Sequence, residues 1–242
     1  MTINSYSARW FEYFHADIPA ERTNKETEFI HSRAPLPAFR TVADVCCGMG
    51  RHSRALAALG YEVTGIEREA IAVDRARSLG GGPKYVRADI LEHSFEESSF
   101  DVVIVMSQSF GHFSKDTNRN LLARFASAVR ENGIVILDLW NPEFFLAHQG
   151  TREFNLPKGK VVETKNVVAE RLFVHLDYPD GSADEFEWQL LTAAQMDSLA
   201  GAVGLVLSAV CTSYDVSVAP EPGNPRLQFV LRKRALSSVT ER

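Results

Sequence analysis

Two acids and two glycines lie at the ends of neighbouring apolar runs, at a spacing that suits recognition of a nucleoside. The run VADVCCGMGRHS (42–53) holds Asp44, Gly48 and Gly50, and the run YEVTGIERE (61–69) holds Glu67, 19 residues beyond Gly48. An acid at about this distance from a glycine turn accepts a hydrogen bond from a ribose hydroxyl. The glycines allow a tight turn between strand and helix. The pattern therefore predicts a nucleoside lying across two adjacent strands.

The turn is poorly suited to phosphate groups. A dinucleotide fingerprint needs a third glycine where Ser53 stands, and the GxxxxGK[ST] pattern is absent. Asp44 would repel a pyrophosphate, whereas it would attract an ammonium group directly or through water. Alternative roles remain open for each acid. Asp44 suits a cap on the next helix, and Glu67 suits a solvated surface position.

The elements that must position these residues alternate along the chain. Apolar runs predict strands at 41–45, 62–66, 84–87, 100–106 and 134–140. Helices are predicted at 51–59 and 69–79, followed by one whose inward face carries Leu121, Leu122, Phe125, Ala128 and Val129. This alternation is typical of the α/β class, with a doubly wound, mostly parallel sheet and helices on both of its faces.

The flanking segments differ from this alternating pattern. Thr23-Asn24-Lys25-Glu26 predicts a capping box that opens a helix through Ile30. Residues 151–190 mix β-branched, aromatic and charged residues, which indicates an antiparallel insertion after the fifth strand. A helix capped at Thr192 and two strands, 205–210 and 227–232, close the chain, the last strand antiparallel. We expect a helical cap at 1–40, then one domain at 41–242 in which 151–190 covers a substrate pocket.

Composition excludes several classes of protein. A net charge of -5 argues against a general nucleic-acid binder, and no apolar run reaches membrane-spanning length. The first residues, MTINSYSARWFEYF, lack the features of a signal peptide. Cys46, Cys47 and Cys211 show no zinc-binding spacing, so a reducing, cytoplasmic location is expected. Oligomeric state cannot be inferred from these features.

Several linked motifs resemble those of class I S-adenosylmethionine-dependent methyltransferases. The segment DVCCGMG (44–50) is similar to the family's acidic glycine-rich loop, Glu67 to its ribose-binding acid, and Ala88-Asp89-Ile90 to its adenine-facing segment. The runs FDVVIVMSQSFGHF and ENGIVILDLWNPE resemble the family's fourth and fifth strands. The resemblance implies S-adenosyl-L-methionine as cofactor and the seven-stranded Rossmann-like fold. The implied cofactor-binding residues are Asp44, Cys46, Cys47, Gly48, Gly50, Glu67, Arg68, Asp89, Ile90 and Ser107. Because Cys46 replaces the first glycine, we expect residue 46 to avoid a conformation open only to glycine.

The same resemblance extends to a small-molecule branch that includes glycine and amino-sugar N-methyltransferases. The loop Ser107-Gln108-Ser109-Phe110 lacks the Asn/Asp-Pro-Pro-aromatic motif and any Pro-Cys pair, which disfavours nucleobase methylation. Methyl transfer to a nitrogen or oxygen of a small molecule is therefore expected. The predicted acceptor-binding residues are Trp10, Tyr13, His112, Trp140 and Asn141, with His112 also as a general base. No metal is expected, because the spacing from Asp138 to Asn141 does not fit a catechol-type site.

Structural roles compete with each predicted acceptor contact. His112 suits a helix entry, Trp10, Tyr13 and Trp140 suit ordinary packing, and Asn141 suits a cap before Pro142. Two other functions remain as alternatives. One is a non-catalytic protein that binds S-adenosylmethionine or another nucleoside. The other is an NAD-dependent oxidoreductase, which the missing third glycine and the missing Tyr-x-x-x-Lys pair disfavour.

Overall fold

A computed structural model describes residues 4–15 and 18–235. Its main sheet has seven strands in the order β10-β11-β5-β4-β1-β2-β3. Their bounds are β1 Thr41–Val45, β2 Glu62–Glu67, β3 Lys84–Arg87, β4 Phe100–Val105, β5 Val129–Trp140, β10 Leu205–Cys211 and β11 Arg226–Lys233. Strands β1 to β5 pair in parallel, whereas β11 pairs antiparallel with both β5 and β10. The predicted α/β fold is confirmed, including the antiparallel last strand.

Helices cover both faces of this sheet. Their bounds are α1 Ala8–Trp10, continued by a π-helical turn at Phe11–His15, then α2 Ala20–Arg33, α3 Arg51–Ala58, α4 Ala70–Ser78, α5 Lys115–Ala128, α6 Pro142–Ala147 and α7 Ala193–Gly201. Helices α5 and α7 pack on one face through Phe125 and Met196. Helices α2 and α3 pack on the other face through Ile30 and Leu56. Both apolar cores are almost fully excluded from solvent, as a doubly wound sheet requires.

The insertion after β5 is a separate antiparallel sheet. Four strands lie in the order β6-β7-β8-β9, at Gly150–Leu156, Gly159–Val168, Arg171–Asp177 and Ala183–Gln189. The burial of alternate residues in β8 and β9 shows that one face of this sheet is covered. That face packs against Trp10 and Phe14 of the N-terminal segment and against Phe145 of α6. The insertion therefore joins the N-terminal segment in a third apolar cluster.

Two local predictions need correction. The capping box predicted at Thr23–Glu26 is wrong, since α2 begins earlier, at Ala20, and Glu26 is fully buried within it. Val129, which was predicted on the inward face of the third helix, lies outside it, because α5 ends at Ala128 and Val129 begins β5. By contrast, the capping box of Thr192 and Gln195 is present at α7. In the described part of the chain, no helix has both the length and the apolarity needed to span a membrane.

Candidate active site

The glycine turn after β1 adopts left-handed backbone conformations at three positions. Cys46, Gly48 and Gly50 have φ angles of 56°, 55° and 72°. A β-carbon added at Gly50 would overlap the hydroxyl end of the Tyr85 ring, so a larger residue there would need Tyr85 to move in addition to adopting a left-handed backbone conformation. Cys46 occupies a region that glycine favours but that other residues reach at about 1–2 kcal/mol. The turn therefore follows a left-handed course without requiring glycine at position 46.

Glu67 holds this turn against the end of β2. Its Oε2 accepts a hydrogen bond from the Gly48 N–H at 2.9 Å, and its Oε1 accepts from the N–H groups of Arg68 and Glu69, each at 2.9 Å. Burial raises the pKa of Glu67, and the three N–H groups oppose that shift. Carboxylate oxygens have lone pairs beyond these bonds, which ribose hydroxyls can use. Glu67 is thus a partly buried acceptor, not a solvated surface acid.

Asp44 lies at the carboxyl end of β1 and is 1% exposed. Its Oδ2 accepts a hydrogen bond from the Ser53 hydroxyl at 2.5 Å. Burial raises the pKa of Asp44, while His52 and Ser53 oppose the shift. The N-cap position of α3 belongs to Gly50, so Asp44 is not the cap that was one alternative. Ser53, the residue that breaks the dinucleotide fingerprint, is the partner that orients Asp44.

A cleft at the carboxyl ends of β1, β2 and β4 brings most of the predicted cofactor residues together. The predicted residues that line it are Asp44, Cys46, Cys47, Gly48, Glu67, Arg68, Asp89, Ile90 and Ser107. Gly50 lies behind the turn, in contact with Tyr85, and does not line the cleft. Asp89 also accepts a hydrogen bond from the Leu91 N–H at 2.8 Å, so one side chain serves both the cleft and its own loop.

The N-terminal segment lines this cleft through the predicted Trp10 and through three residues that the sequence did not single out, Asn4, Tyr6 and Phe11. The Asn4 amide donates to the His112 carbonyl at 3.1 Å, and its oxygen accepts from the Glu187 N–H at 2.8 Å. Asn4 therefore ties the segment to the loop after β4 and to β9. The only sequence signal was the aromatic density of residues 6–14, which did not distinguish a cover from ordinary packing.

His112 also lines the cleft, and both of its ring nitrogens have partners. Nδ1 lies 3.3 Å from the Glu187 carbonyl oxygen, and Nε2 lies 2.9 Å from the Tyr6 hydroxyl. A carbonyl only accepts, so Nδ1 carries the proton and Tyr6 donates to Nε2. Burial lowers the pKa of His112 to about 4, which keeps the ring neutral near pH 7. Burial likewise raises the pKa of Tyr6 above its ordinary value.

The loop after β4 is held in a strained conformation beside the cleft. Ser107 and Gln108 have φ angles of 58° and 55°, in the left-handed region that is unfavourable for side chains. Asp138 maintains this shape, because its Oδ2 accepts from the Ser107 N–H at 3.0 Å and its carbonyl accepts from the Gln108 N–H at 2.8 Å. The Arg51 guanidinium donates to the Ser107 hydroxyl at 3.0 Å. Ser107 is therefore fixed from both sides.

Glu26, a buried acid on α2, is connected through hydrogen bonds both to residues of the cleft and to Asp138 on β5. Glu26 pairs with Arg51 and with His52, whose Nε2 lies 2.7 Å from its Oε2. The Tyr214 hydroxyl lies 3.0 Å from both Glu26 Oε1 and Asp138 Oδ2. Burial by itself raises the pKa of Glu26, but His52 and Arg51 outweigh it and hold that pKa well below the ordinary range. Sequence reasoning missed this network, because it had assigned Glu26 to a cap.

A second cavity of about 400 Å³ adjoins the cleft. Trp10 and Ser107 line both spaces, so the two are neighbours. Trp188 stands at their junction, with its ring centroid 5.1 Å from that of His112. Trp140, which was predicted to bind an acceptor, lines the second cavity.

The structure gives Tyr13 and Asn141 structural roles in place of the predicted contacts with an acceptor. Neither residue lines the cleft or the second cavity. The Tyr13 hydroxyl donates to the Lys158 carbonyl at 2.9 Å. The Asn141 oxygen caps α6 at the Glu143 N–H, 3.1 Å away, while its amide donates to the Glu221 and Asn224 carbonyls. All polar groups of the Asn141 side chain are therefore committed. Within the described ranges, no three His, Cys, Asp or Glu side chains are grouped so that they could hold a metal ion.

Comparisons with known proteins agree with this geometry. Residues 42–133 match the family described as "Methyltransferase domain". A glycine/sarcosine N-methyltransferase of Aphanothece halophytica is 30% identical over 154 residues, 60% of this chain and 56% of that protein. A cypemycin N-terminal methyltransferase of a Streptomyces species is 27% identical over 226 residues, 88% of this chain and 87% of that protein. The crystal structure of an S-adenosylmethionine-dependent methyltransferase from Clostridium acetobutylicum superposes with a TM-score of 0.76 at 15% identity, over 94% of this chain and 97% of that one.

The fold is Rossmann-like, and the cleft lies at the carboxyl ends of β1 and β2, where folds of this class bind nucleosides. Residues 42–133 match a methyltransferase domain, and the chain is similar in sequence and fold to S-adenosylmethionine-dependent methyltransferases. It spans only a little over half the length of the first curated relatives, 56% and 59%. The family's cofactor is S-adenosylmethionine, and the cleft suits it: Glu67 can accept from ribose hydroxyls, and Asp44 offers a buried negative charge for an ammonium group.

Proposed function

We propose that this protein transfers the methyl group of S-adenosylmethionine to an amine nitrogen of a small molecule. The observation that carries the proposal is the junction between two spaces. The cleft holds the acids Asp44 and Glu67, and at Trp10 and Ser107 it adjoins a cavity that is large enough for an acceptor. Nitrogen as the methylated atom is supported by the names of two relatives, a glycine/sarcosine N-methyltransferase and a cypemycin N-terminal methyltransferase.

The binding roles follow from chemistry at each end of the cleft. We assign Glu67 to the ribose hydroxyls, Asp44 to the ammonium group, and Asp89 with Ile90 to the adenine. The loop residues Cys46, Cys47 and Gly48, together with Arg68 and Ser107, complete the walls. When bound, S-adenosylmethionine supplies a methyl group already activated on a sulfonium. The protein therefore mainly needs to align the acceptor and exclude water.

Tyr6 and His112 are proposed to align the acceptor amine. Because the Tyr6 hydroxyl donates to His112 Nε2, its oxygen retains lone pairs that can accept an N–H of the amine. A direct base role for His112 would need the Nε2 atom that Tyr6 occupies, and a pKa of about 4 makes the ring a weak proton acceptor near neutrality. We therefore propose that His112 positions Tyr6, and that the amine reacts in its neutral form.

The N-terminal segment and the four-stranded insertion are proposed to cover the site. The proposal retains 1–40 as a cap and 151–190 as a substrate-covering insertion of the 41–242 domain, although residues 1–3, 16–17 and 236–242 lie outside the described part of the chain. It is supported by the third apolar cluster, in which Trp10 and Phe145 meet Phe186 and Trp188 of β9. Replacing the insertion by a short Gly-Ser linker should impair methyl transfer more than cofactor binding. Normal turnover by a folded truncated protein would contradict the covering role.

We also propose a cytoplasmic location and no nucleic-acid partner. The proposal is supported by three cysteines that are unpaired, Cys46, Cys47 and Cys211, and by the net charge of -5.

The experiment that tests the function measures S-adenosylhomocysteine formation from S-adenosylmethionine with a panel of small amines and an extract of small metabolites. Acceptor-dependent product supports the proposal. Calorimetric binding of S-adenosylmethionine with no turnover on any fraction would favour the non-catalytic binding protein instead. Tandem mass spectrometry of the product, in which fragmentation locates the added methylene unit on nitrogen or on oxygen, decides between amine and hydroxyl acceptors.

A further inference from the structure

The second cavity has walls that suit a flat apolar body. Its aromatic lining consists of Trp10, Phe14, Trp140, Phe144, Phe145, Phe186 and Trp188. Trp140 meets Phe145 and Trp188 edge to face, with ring centroids 4.9 Å and 6.0 Å apart. Leu172, Val174 and Leu176 of β8 add aliphatic surface. A cavity of about 400 Å³ with such walls is much larger than a molecule of the size of glycine requires.

The charged side chains around this cavity are mostly cations. Arg22, Arg152, Lys165 and Arg226 line it, whereas Glu163 is the single acid of the lining. Glu163 is shared, because it pairs with Arg152 and, at 3.0 Å, with Lys165, whose side chain is 3% exposed. Arg226 pairs with Asp138 at 3.2 Å, and its side chain is 13% exposed. Arg22 and Arg152 are about half exposed, and Arg22 also pairs with Glu26, so only Lys165 and Arg226 are buried cations. A lining with more cations than acids favours a negatively charged ligand group.

Three buried N–H groups around the cavity lack acceptors. Trp140 Nε1, Trp188 Nε1 and Arg226 Nε have no hydrogen-bond partner within residues 4–15 and 18–235. Trp188 is itself only 5% exposed. Unpaired buried donors are uncommon because their desolvation is uncompensated. All three belong to residues of one cavity, and an oxygen-rich ligand group would supply acceptors that the protein does not.

We propose that the second cavity binds an acceptor with a flat apolar or aromatic body and a carboxylate, the carboxylate being held by Arg226. The proposal rests on the proposed function, since it places the acceptor's amine at the junction near Ser107 and the body among the tryptophans. Arg226 lies with its guanidinium carbon 5.1 Å from the centroid of the Trp140 ring, so the cation and the aromatic wall are adjacent. An aromatic or long-chain amino acid has this chemistry, whereas a simple amine does not.

Matched pairs of small molecules test the proposed carboxylate site without requiring turnover. Calorimetry on protein saturated with S-adenosylhomocysteine compares indole-3-propionate with tryptamine, and 3-phenylpropionate with phenethylamine. Each pair shares a ring system and differs in bearing a carboxylate or an ammonium. We expect the carboxylate member to bind about tenfold more tightly or better, because a charge-assisted hydrogen bond replaces an unpaired donor. Equal or tighter binding of the amine members would overturn the proposal.

Substitutions in β11 test whether Arg226 causes the preference for carboxylates. Arg226→Gln should abolish the preference for carboxylates, and Arg226→Lys should reduce it by about threefold or more, because lysine keeps the charge but lacks the guanidinium donors. Arg232→Gln is the matched control, since Arg232 lies on the same strand but is exposed. If Arg226→Gln does not fold, Arg226→Lys carries the test. A preference that persists in the folded Arg226 variants refutes the role of Arg226.

These outcomes are separable from failure of the proposed function. If wild-type protein neither binds S-adenosylmethionine nor transfers methyl groups, the proposed function is disproved, and the carboxylate preference is then measured by the same calorimetry on the ligand-free protein. A carboxylate preference with intact cofactor binding but no methyl transfer would retain the ligand class and reject the reaction.

Discussion

Glu67 provides the sharpest test of the cofactor site, because one carboxylate serves the turn and the proposed ribose contact together. Glu67→Ala removes an acceptor from three backbone N–H groups, at Gly48, Arg68 and Glu69, and from the ribose. A hydrogen bond to a charged group contributes about 1.5–3 kcal/mol. Loss of the ribose bond alone should therefore weaken S-adenosylmethionine binding by about tenfold to 150-fold.

A second substitution separates the two roles of this carboxylate. Glu67→Gln keeps the shape and can still accept from two N–H groups through its oxygen, but its NH₂ faces the third. We expect it to retain more thermal stability than Glu67→Ala while losing much of the affinity. The control is Glu62→Ala, which changes an exposed acid at the other end of β2.

The assay combines calorimetry of S-adenosylmethionine and S-adenosylhomocysteine with thermal unfolding of the ligand-free proteins. Affinity should fall in both Glu67 variants and stay constant in Glu62→Ala. Unchanged affinity in a folded Glu67→Ala protein would refute the assignment of Glu67 to the ribose, whatever its stability.

Other consequences follow from the same site. Tyr6→Phe and His112→Ala should each lower the single-turnover methylation rate by about tenfold or more, with cofactor affinity intact. If His112 is instead the general base, His112→Ala should lower that rate by about 100-fold and remove the acidic limb of the pH profile. The pKa of His112 falls from 6.5 to about 4 on folding, so its contribution to stability is complete above pH 6.5 and is lost as pH drops towards 4. The free energy of unfolding should fall by about 3 kcal/mol over this pH range because of His112. Urea unfolding of His112→Asn should therefore show a flatter pH dependence between pH 6.5 and 4 than that of the wild-type protein. Gly50→Ala should lower stability by more than 2 kcal/mol in the same assay, because its β-carbon would overlap the Tyr85 ring; a fully stable variant would contradict this packing.

The main features of the fold followed from local patterns in the sequence. Strands β1, β2 and β4 are short apolar runs whose length and bounding turns identify buried parallel strands, whatever they contact. Glu67 was identified because the distance between a glycine turn and the end of the next strand is set by one helix and two loops. The cofactor cleft was therefore largely predictable, since its residues lie at the ends of such elements.

Only the tertiary structure decided which side chains meet across long distances in the chain. Tyr6 and His112 are separated by 106 residues, and Tyr214 and Glu26 by 188, so no local spacing relates them. Glu26 matched a capping box in sequence, but burial beside Arg51 and His52 gave it a different role. Asn141 had the residue type of a pocket ligand, yet its polar groups were used by the backbone around it. Local periodicity and turn chemistry act through the backbone of neighbouring residues, whereas charge networks and pocket walls depend on how distant elements pack.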